Sequence, residues 1–232
     1  MLSHWTLLAT PMETSTLRSL FESIQDGGWM MVPLGMCSVL AMGFFFERLV
    51  ALRAGRLFPR RLEKELAKRL EKDGPVETAR WCAEGKSPAA RIFAAGLRRW
   101  YGPRMELEKA VEDAGSREIA MLSGNLRPLV VVSSIAPLMG LLGTVIGMIR
   151  AFSVIATGAG IGKPEKLADG ISEALVTTAA GLIVAIPTQV AYFYLRARID
   201  RFTRRVETVF HDVLCRALDE EEATRGSERS VA

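Results

Sequence analysis

Thr144, Thr178, Glu173 and Arg150 are the residues of this 232-residue chain whose types and positions could do chemistry, because each is a polar group set within or at the end of a long apolar run. A hydroxyl or carboxylate in a hydrocarbon layer is costly unless it meets a neighbouring helix or lines a wet passage, so such a constellation points either to close helix packing or to a polar passage between helices. Depth follows from counting. Thr144 stands 17 residues beyond Arg127 and Thr178 stands 18 before Arg196, which at about 1.5 Å per residue sets both roughly 25 to 27 Å above those arginines. Arg150 and Glu173 each lie 23 residues from the same references, about 34 Å up. A salt bridge or shared polar cluster is expected there, at the outer edge of the hydrocarbon.

Faces can be read as well as depths, since positions four and seven residues apart align on a helix. Gly140, Thr144 and Gly147 make one small stripe, with Gly143 beside it; Ala174, Thr178, Gly181, Ala185 and Thr188 make another. Two readings stay open. In one the stripes are close-packing surfaces and each hydroxyl bonds a carbonyl three or four residues back. In the other the threonines, matched in depth, form a polar ring lining a passage. Glu173 is either a functional carboxylate facing the bundle interior or a solvated first-turn acid favoured by the helix dipole. Arg150 either joins it or snorkels to headgroups. Pro137 and Pro187 are expected to bend their helices.

The elements that carry these residues are legible in the charge pattern. An average of 49% hydrophobic and 24% charged residues would suit a soluble domain, but charges vanish from Trp29 to Phe46, Leu129 to Ile149 and Ala174 to Leu195. As helices these windows extend roughly 27, 31 and 33 Å, against a hydrocarbon thickness of about 30 Å. Three transmembrane helices follow. The first is not a secretory signal peptide: its upstream flank (Glu13, Arg18, Glu22, Asp26) is more acidic than basic, and no small-residue cleavage site follows. Arg48, Arg53, Arg56, Arg60 and Arg61 come after it, and Arg196, Arg198, Arg201, Arg204 and Arg205 follow the third. The positive-inside rule therefore predicts an N-terminus outside the membrane and a cytoplasmic C-terminus. The net charge of +4 is accounted for by these clusters, where anionic headgroups would meet them, and gives no reason to invoke nucleic acid.

Cys37, Cys82 and Cys215 have no paired spacing and read as reduced, buried thiols. His4 and His211 fall on opposite sides of the predicted membrane, so no histidine metal site is expected. Ser133 and Ser134 lack a histidine partner, and Gly158-Ala159-Gly160-Ile161-Gly162 lacks the strand and Lys-Ser/Thr of a nucleotide loop. No enzyme, metal or cofactor is expected.

The predicted organisation is all-α. Residues 1–27 form a periplasmic segment, with an interfacial amphipathic stretch at Leu17 to Ile24; residues 28–50 form the first span. A cytoplasmic helical insertion occupies 51–126, with helices over Pro59 to Asp73, Val76 to Glu84, from Ser87-Pro88 to Tyr101, and from Arg104 to Leu126. The last of these is expected to run into the second span, 127–156. Residues 157–168 form a periplasmic loop, 169–196 the third span, and 197–232 a cytoplasmic extension. Its apolar period runs through Ile199, Phe202, Val206, Val209, Phe210, Val213 and Leu214, and the charged tail after Asp219 is expected to be disordered.

The stretches from Ala136-Pro137-Leu138-Met139-Gly140 to Gly147, and from Gly170-Ile171-Ser172-Glu173-Ala174 through Thr177-Thr178 to Pro187, resemble the paired signature of the MotA/TolQ/ExbB proton-channel family, nearest to ExbB and TolQ. The resemblance covers about residues 28 to 205. It implies a homopentameric ring in the bacterial inner membrane around a dimer of single-span partners of the ExbD/TolR type. Protons then cross at the boundary of ring and partner and drive mechanical work in the envelope. It implies lumen-facing roles for Thr144 and Thr178 and a proton-pathway role for Glu173. TonB-dependent uptake, with a TonB-like protein as a further partner, is the expected process; Tol-type envelope maintenance, gliding motility and a non-conducting scaffold are the alternatives. Arg150 departs from the family pattern, where a neutral residue or histidine is usual. Apart from the resemblance, the spans carry no Asp or Glu at mid-depth, so a carboxylate from a partner is needed to carry protons across.

Overall fold

The computed structural model describes residues 28–156 and 164–231, with side chains throughout except at Pro164, Lys166 and 214–231. The interfacial stretch expected at Leu17 to Ile24 and the glycine-rich segment Gly158 to Gly162 lie outside the described residues. All regular structure among the described residues is helical: α1 (Met31–Ala51), α2 (Ala54–Leu57), α3 (Arg60–Glu84), α4 (Pro88–Leu97), α5 (Arg104–Gly124), α6 (Arg127–Ala156) and α7 (Pro164–Val231).

Among the described residues three stretches are long and apolar enough to cross a membrane: α1, the α5–α6 run and α7. Only 11%, 33% and 28% of their most apolar windows are buried within the chain. Val39 on α1, Leu138 and Ile149 on α6, and Leu175 and Ile183 on α7 all stand exposed. Faces this apolar and this uncovered would aggregate in water, whereas lipid or neighbouring membrane helices solvate them. The protein is an all-α, multi-pass integral membrane protein.

The chain divides into two compact units, one from Met1–Phe44 and Pro128–Val190, the other from Phe45–Arg127 and Ala191–Ala232. In the first, α1, α6 and α7 meet around Leu34, Ala136 and Ala185, with Met31, Met139 and Val184 packed against them. Pro137 and Pro187 both lie inside their helices without interrupting them.

In the second unit the local signals act as breakers and caps. Gly74 takes φ 78°, a left-handed backbone open to glycine, and kinks α3 just before Pro75. Ser87 caps α4 by accepting from the Ala90 N–H at 3.3 Å, with Pro88 in the first turn. That helix stops at Leu97 rather than Tyr101. The core gathers Leu66, Ile92, Cys82 and Phe93 with Leu195, Ile199, Phe202, Val206, Val209 and Val213 of α7, the last six in alternating four- and three-residue steps along one face. Phe58 meets Phe93 edge-on at 6.0 Å. Arg91 grips the buried Glu118 carboxylate with Nε and Nη2, both at 2.6 Å.

Two expectations are modified. Asn125 and Leu126 form a turn between α5 and α6; Pro128 has no N–H to bond the Gly124 carbonyl, so the helix cannot pass without losing that rung. The tail expected to be disordered after Asp219 keeps a helical backbone to Val231, in keeping with the helix-forming Glu220-Glu221-Glu222-Ala223 run.

Candidate functional site

The polar residues of the membrane unit are positioned by one close helix contact. On α6 the buried line is Ala136, Gly140, Gly143, Gly147 and Ala151; on α7 it is Gly170, Ala174, Thr177, Gly181 and Ala185. Backbone approaches backbone along it. A methyl group at Gly181 would come within 2.8 Å of the Ala136 carbonyl oxygen, and one at Gly147 within 2.8 Å of the Gly170 carbonyl oxygen. At Gly143 it would collide with the Thr177 side chain. The six small residues expected to pack, Gly140, Gly143, Gly147, Ala174, Gly181 and Ala185, are all buried, as dispersion-driven association in lipid requires.

The threonines take different places on this contact. Thr178 Oγ1 donates to the Gly140 carbonyl at 3.1 Å, a bond between helices. Thr144 Oγ1 donates to Leu141 O of its own helix at 2.6 Å. Counting from the arginines matched Thr178 with Thr144; the packing instead sets Thr178 against Gly140, about one helical turn away. Thr144 borders an open apolar hollow with Val145, Met148, Ile149 and Phe152. Of the threonines on this contact the fully buried one is Thr177, whose hydroxyl donates to Glu173 O at 2.7 Å. Sequence reasoning passed over Thr177 because it lies one step off the chosen stripe. Thr188 bonds the Val184 carbonyl at 2.7 Å.

At the other end of the pair, Arg150 Nη1 donates to Glu173 Oε1 at 2.6 Å. The acid side chain is 18% exposed and the arginine 51%. Gly28 completes this corner. It has φ 66°, and a Cβ there would strike the Glu173 carboxylate, so glycine serves both the left-handed turn into α1 and the close approach of the acid. The Gly27-Gly28 doublet ahead of the first apolar window was the available signal. Among the described residues no group of His, Cys, Asp and Glu could hold a metal ion.

The arrangement is a close helix pair bearing hydroxyls on and beside its contact, capped by an ion pair, with no carboxylate at mid-depth. Known proteins are similar to it in sequence. The profile of the MotA/TolQ/ExbB proton channel family matches residues 84–208, more than half of the chain. An ExbB homolog in biopolymer transport from Methanothermobacter thermautotrophicus is 34% identical over 60% of this chain, which spans 49% of that relative's length. A biopolymer transport protein of the ExbB type from Vibrio cholerae is 32% identical, over 82% of this chain and 85% of its own. The Tol-Pal system protein TolQ of Pseudomonas aeruginosa is 30% identical over 77% of this chain and 81% of its own. With these matches spanning both the small-residue helix pair and the buried face of the second unit, the chain belongs to the MotA/TolQ/ExbB proton channel family, close to ExbB and TolQ.

Proposed function

We propose that this protein is the ring-forming, non-enzymatic subunit of a proton-driven motor in the bacterial inner membrane, a pentamer around an ExbD/TolR-like dimer. In this reading proton flow is coupled to work in the envelope, with TonB-dependent uptake the favoured process and Tol-type maintenance the next. The observation that carries it is the pairing of threonine hydroxyls with spans that hold no mid-depth Asp or Glu. Such a subunit offers a polar wall but no titrating carrier, so it needs a carboxylate on a partner helix. The exposed apolar face around Thr144 supports a partner or neighbouring subunit on that side. The orientation, with periplasmic N-terminus and cytoplasmic C-terminus, rests on the arginine clusters that follow the first and third spans.

The test is co-expression with an ExbD/TolR-type partner and proton uptake into vesicles, with and without a neutral replacement of the partner's membrane aspartate. Flux that requires both proteins and the aspartate is expected; robust flux from this protein alone would overturn the reading. A non-conducting scaffold is the second reading, favoured by the engagement of both Thr144 and Thr178 hydroxyls with backbone carbonyls. Thr178→Val separates the two. It is nearly isosteric, so it spares assembly in either case and impairs flux only in the motor.

A further inference from the structure

The second unit holds a hollow of about 410 Å³ that neither the proton path nor the helix contact uses. Its rim carries Arg53, just after α1, and Arg198, Arg201 and Arg205 of α7. Its floor is apolar: Leu52, Leu57, Phe58 and Phe202 are all at most 5% exposed.

The arginines are held ready. Arg198 stacks over the Tyr194 ring at 4.8 Å and donates to the Tyr194 hydroxyl at 2.6 Å and to the Leu49 carbonyl at 3.4 Å, all neutral partners. Arg205 lies 5.1 Å over the Phe58 ring and pairs with Glu63 at 2.7 Å. Arg201 donates Nε to Ala197 O at 3.2 Å, and among the described residues neither Arg201 nor Arg53 has an ion pair. Three of the four rim charges are therefore uncompensated by any described carboxylate. Concentrating like charges over an apolar floor is unfavourable unless an anion joins them, and guanidinium forks match phosphate oxygens in geometry.

We propose that this hollow binds the phosphodiester headgroup of an anionic phospholipid, with the floor covering the glycerol and upper acyl carbons. Position favours a lipid over a free phosphate. Arg198 and Arg201 follow Arg196, where the third apolar run has just ended, by two and five residues, about 3 and 8 Å further along the helix. That is the depth of the headgroup layer, which adds roughly 5 to 8 Å to each side of the hydrocarbon. The proposal rests on the membrane placement of the spans and not on any partner or motor activity, so it stands or falls separately from the proton-flux test.

The experiment is lipid exchange on the purified full-length protein in detergent, read by native mass spectrometry and by thermal unfolding. The probes are phosphatidylglycerol, phosphatidylcholine and inorganic phosphate. Wild type is expected to retain phosphatidylglycerol and unfold at higher temperature with it, and to gain little from the other two. Arg53→Gln with Arg201→Gln, neither of which has an ion pair to lose, should weaken retention roughly 25-fold, or about fivefold per arginine at an anionic lipid surface. Arg56→Gln with Arg60→Gln removes the same charge outside the hollow and should leave retention near wild type. Equal loss in both double variants would mean a diffuse field and overturn the site. Equal retention of phosphatidylcholine, undiminished retention in the first variant, or equivalent stabilisation by inorganic phosphate would also overturn it.

Discussion

Arg150 donates to Glu173 across the α6–α7 pair at 2.6 Å, so the carboxylate nearest the apolar spans of these two helices is already held by a cation of its own chain. The bond sits where Gly28 presses on the same acid. Removing either partner alone leaves the other charge without its counterpart, and removing both should cost less than the two losses added together. A cycle of Arg150→Gln, Glu173→Gln and the double variant is expected to give a coupling of about 1 kcal/mol, the lower part of the usual range because Arg150 is half exposed. The charge swap R150E/E173R should recover helix packing, measured by unfolding in detergent. Proton uptake should stay impaired, because the carboxylate has moved to the other helix. Recovery of both would mean that Glu173 acts only as a packing partner.

The close contact makes a sharp distinction among glycines. Gly181→Ala would push a methyl group to 2.8 Å from the Ala136 carbonyl oxygen and 3.1 Å from Gly140 Cα, both backbone atoms that cannot turn aside. The helices must separate, at about 1 to 3 kcal/mol for overpacking of this kind. Gly115 in the middle of α5 has nothing within 4 Å of a Cβ, so Gly115→Ala should stabilise by up to about 1 kcal/mol through helix propensity. Thermal unfolding of the two variants side by side checks both signs.

Much of this arrangement is legible in the chain, and the rest is lost for physical reasons. Small residues at helical spacing declare that α6 and α7 approach closely, and the arginines declare where the apolar spans end. Periodicity does not decide between Thr177 and Thr178, which stand about 100° apart on one helix; the crossing of the two helices decides which one is buried. Nor does counting from the ends fix register to better than a turn, which is why Thr178 meets Gly140 and not Thr144. The Arg91–Glu118 pair joins residues 27 apart on separate helices, and no local pattern announces such a contact.

Glu118 is 7% exposed and takes both fork nitrogens of Arg91. The hydrogen bond that Arg91 donates to that carboxylate raises its pKa above the ordinary value, so the guanidinium stays charged throughout the neutral and alkaline range. Glu118→Ala breaks the pair, but Arg91 is 47% exposed and keeps its bond to the Lys86 carbonyl, so solvent takes up part of the loss and the expected cost is about 0.5 to 1 kcal/mol. Glu118→Gln keeps shape and one acceptor and should lose less. If Glu118→Gln unfolds like wild type while Glu118→Ala does not, the ion pair contributes nothing beyond its packing.

Cys82 gives the second unit an alkaline signature. Its thiol is fully buried, and burial pushes its pKa from 9.0 up to about 12, against a smaller opposing pull from Arg69. The unfolded chain releases this proton near pH 9 while the folded chain keeps it to about pH 12. Across that window the native state binds more protons than the unfolded state, so stability falls as pH rises, by on the order of 1 kcal/mol per unit. Below pH 9 both states keep the proton and the group contributes no slope. Unfolding of wild type and Cys82→Ala, compared between pH 8 and 11, isolates this thiol from the tyrosines and lysines that titrate in the same range. The variant is less stable at pH 8 because a packed sulfur is gone, but its stability should decline less steeply with pH. Parallel declines would mean that the thiol reaches solvent in the native state; rapid alkylation of Cys82 in a C37S/C215S background would then be expected as well.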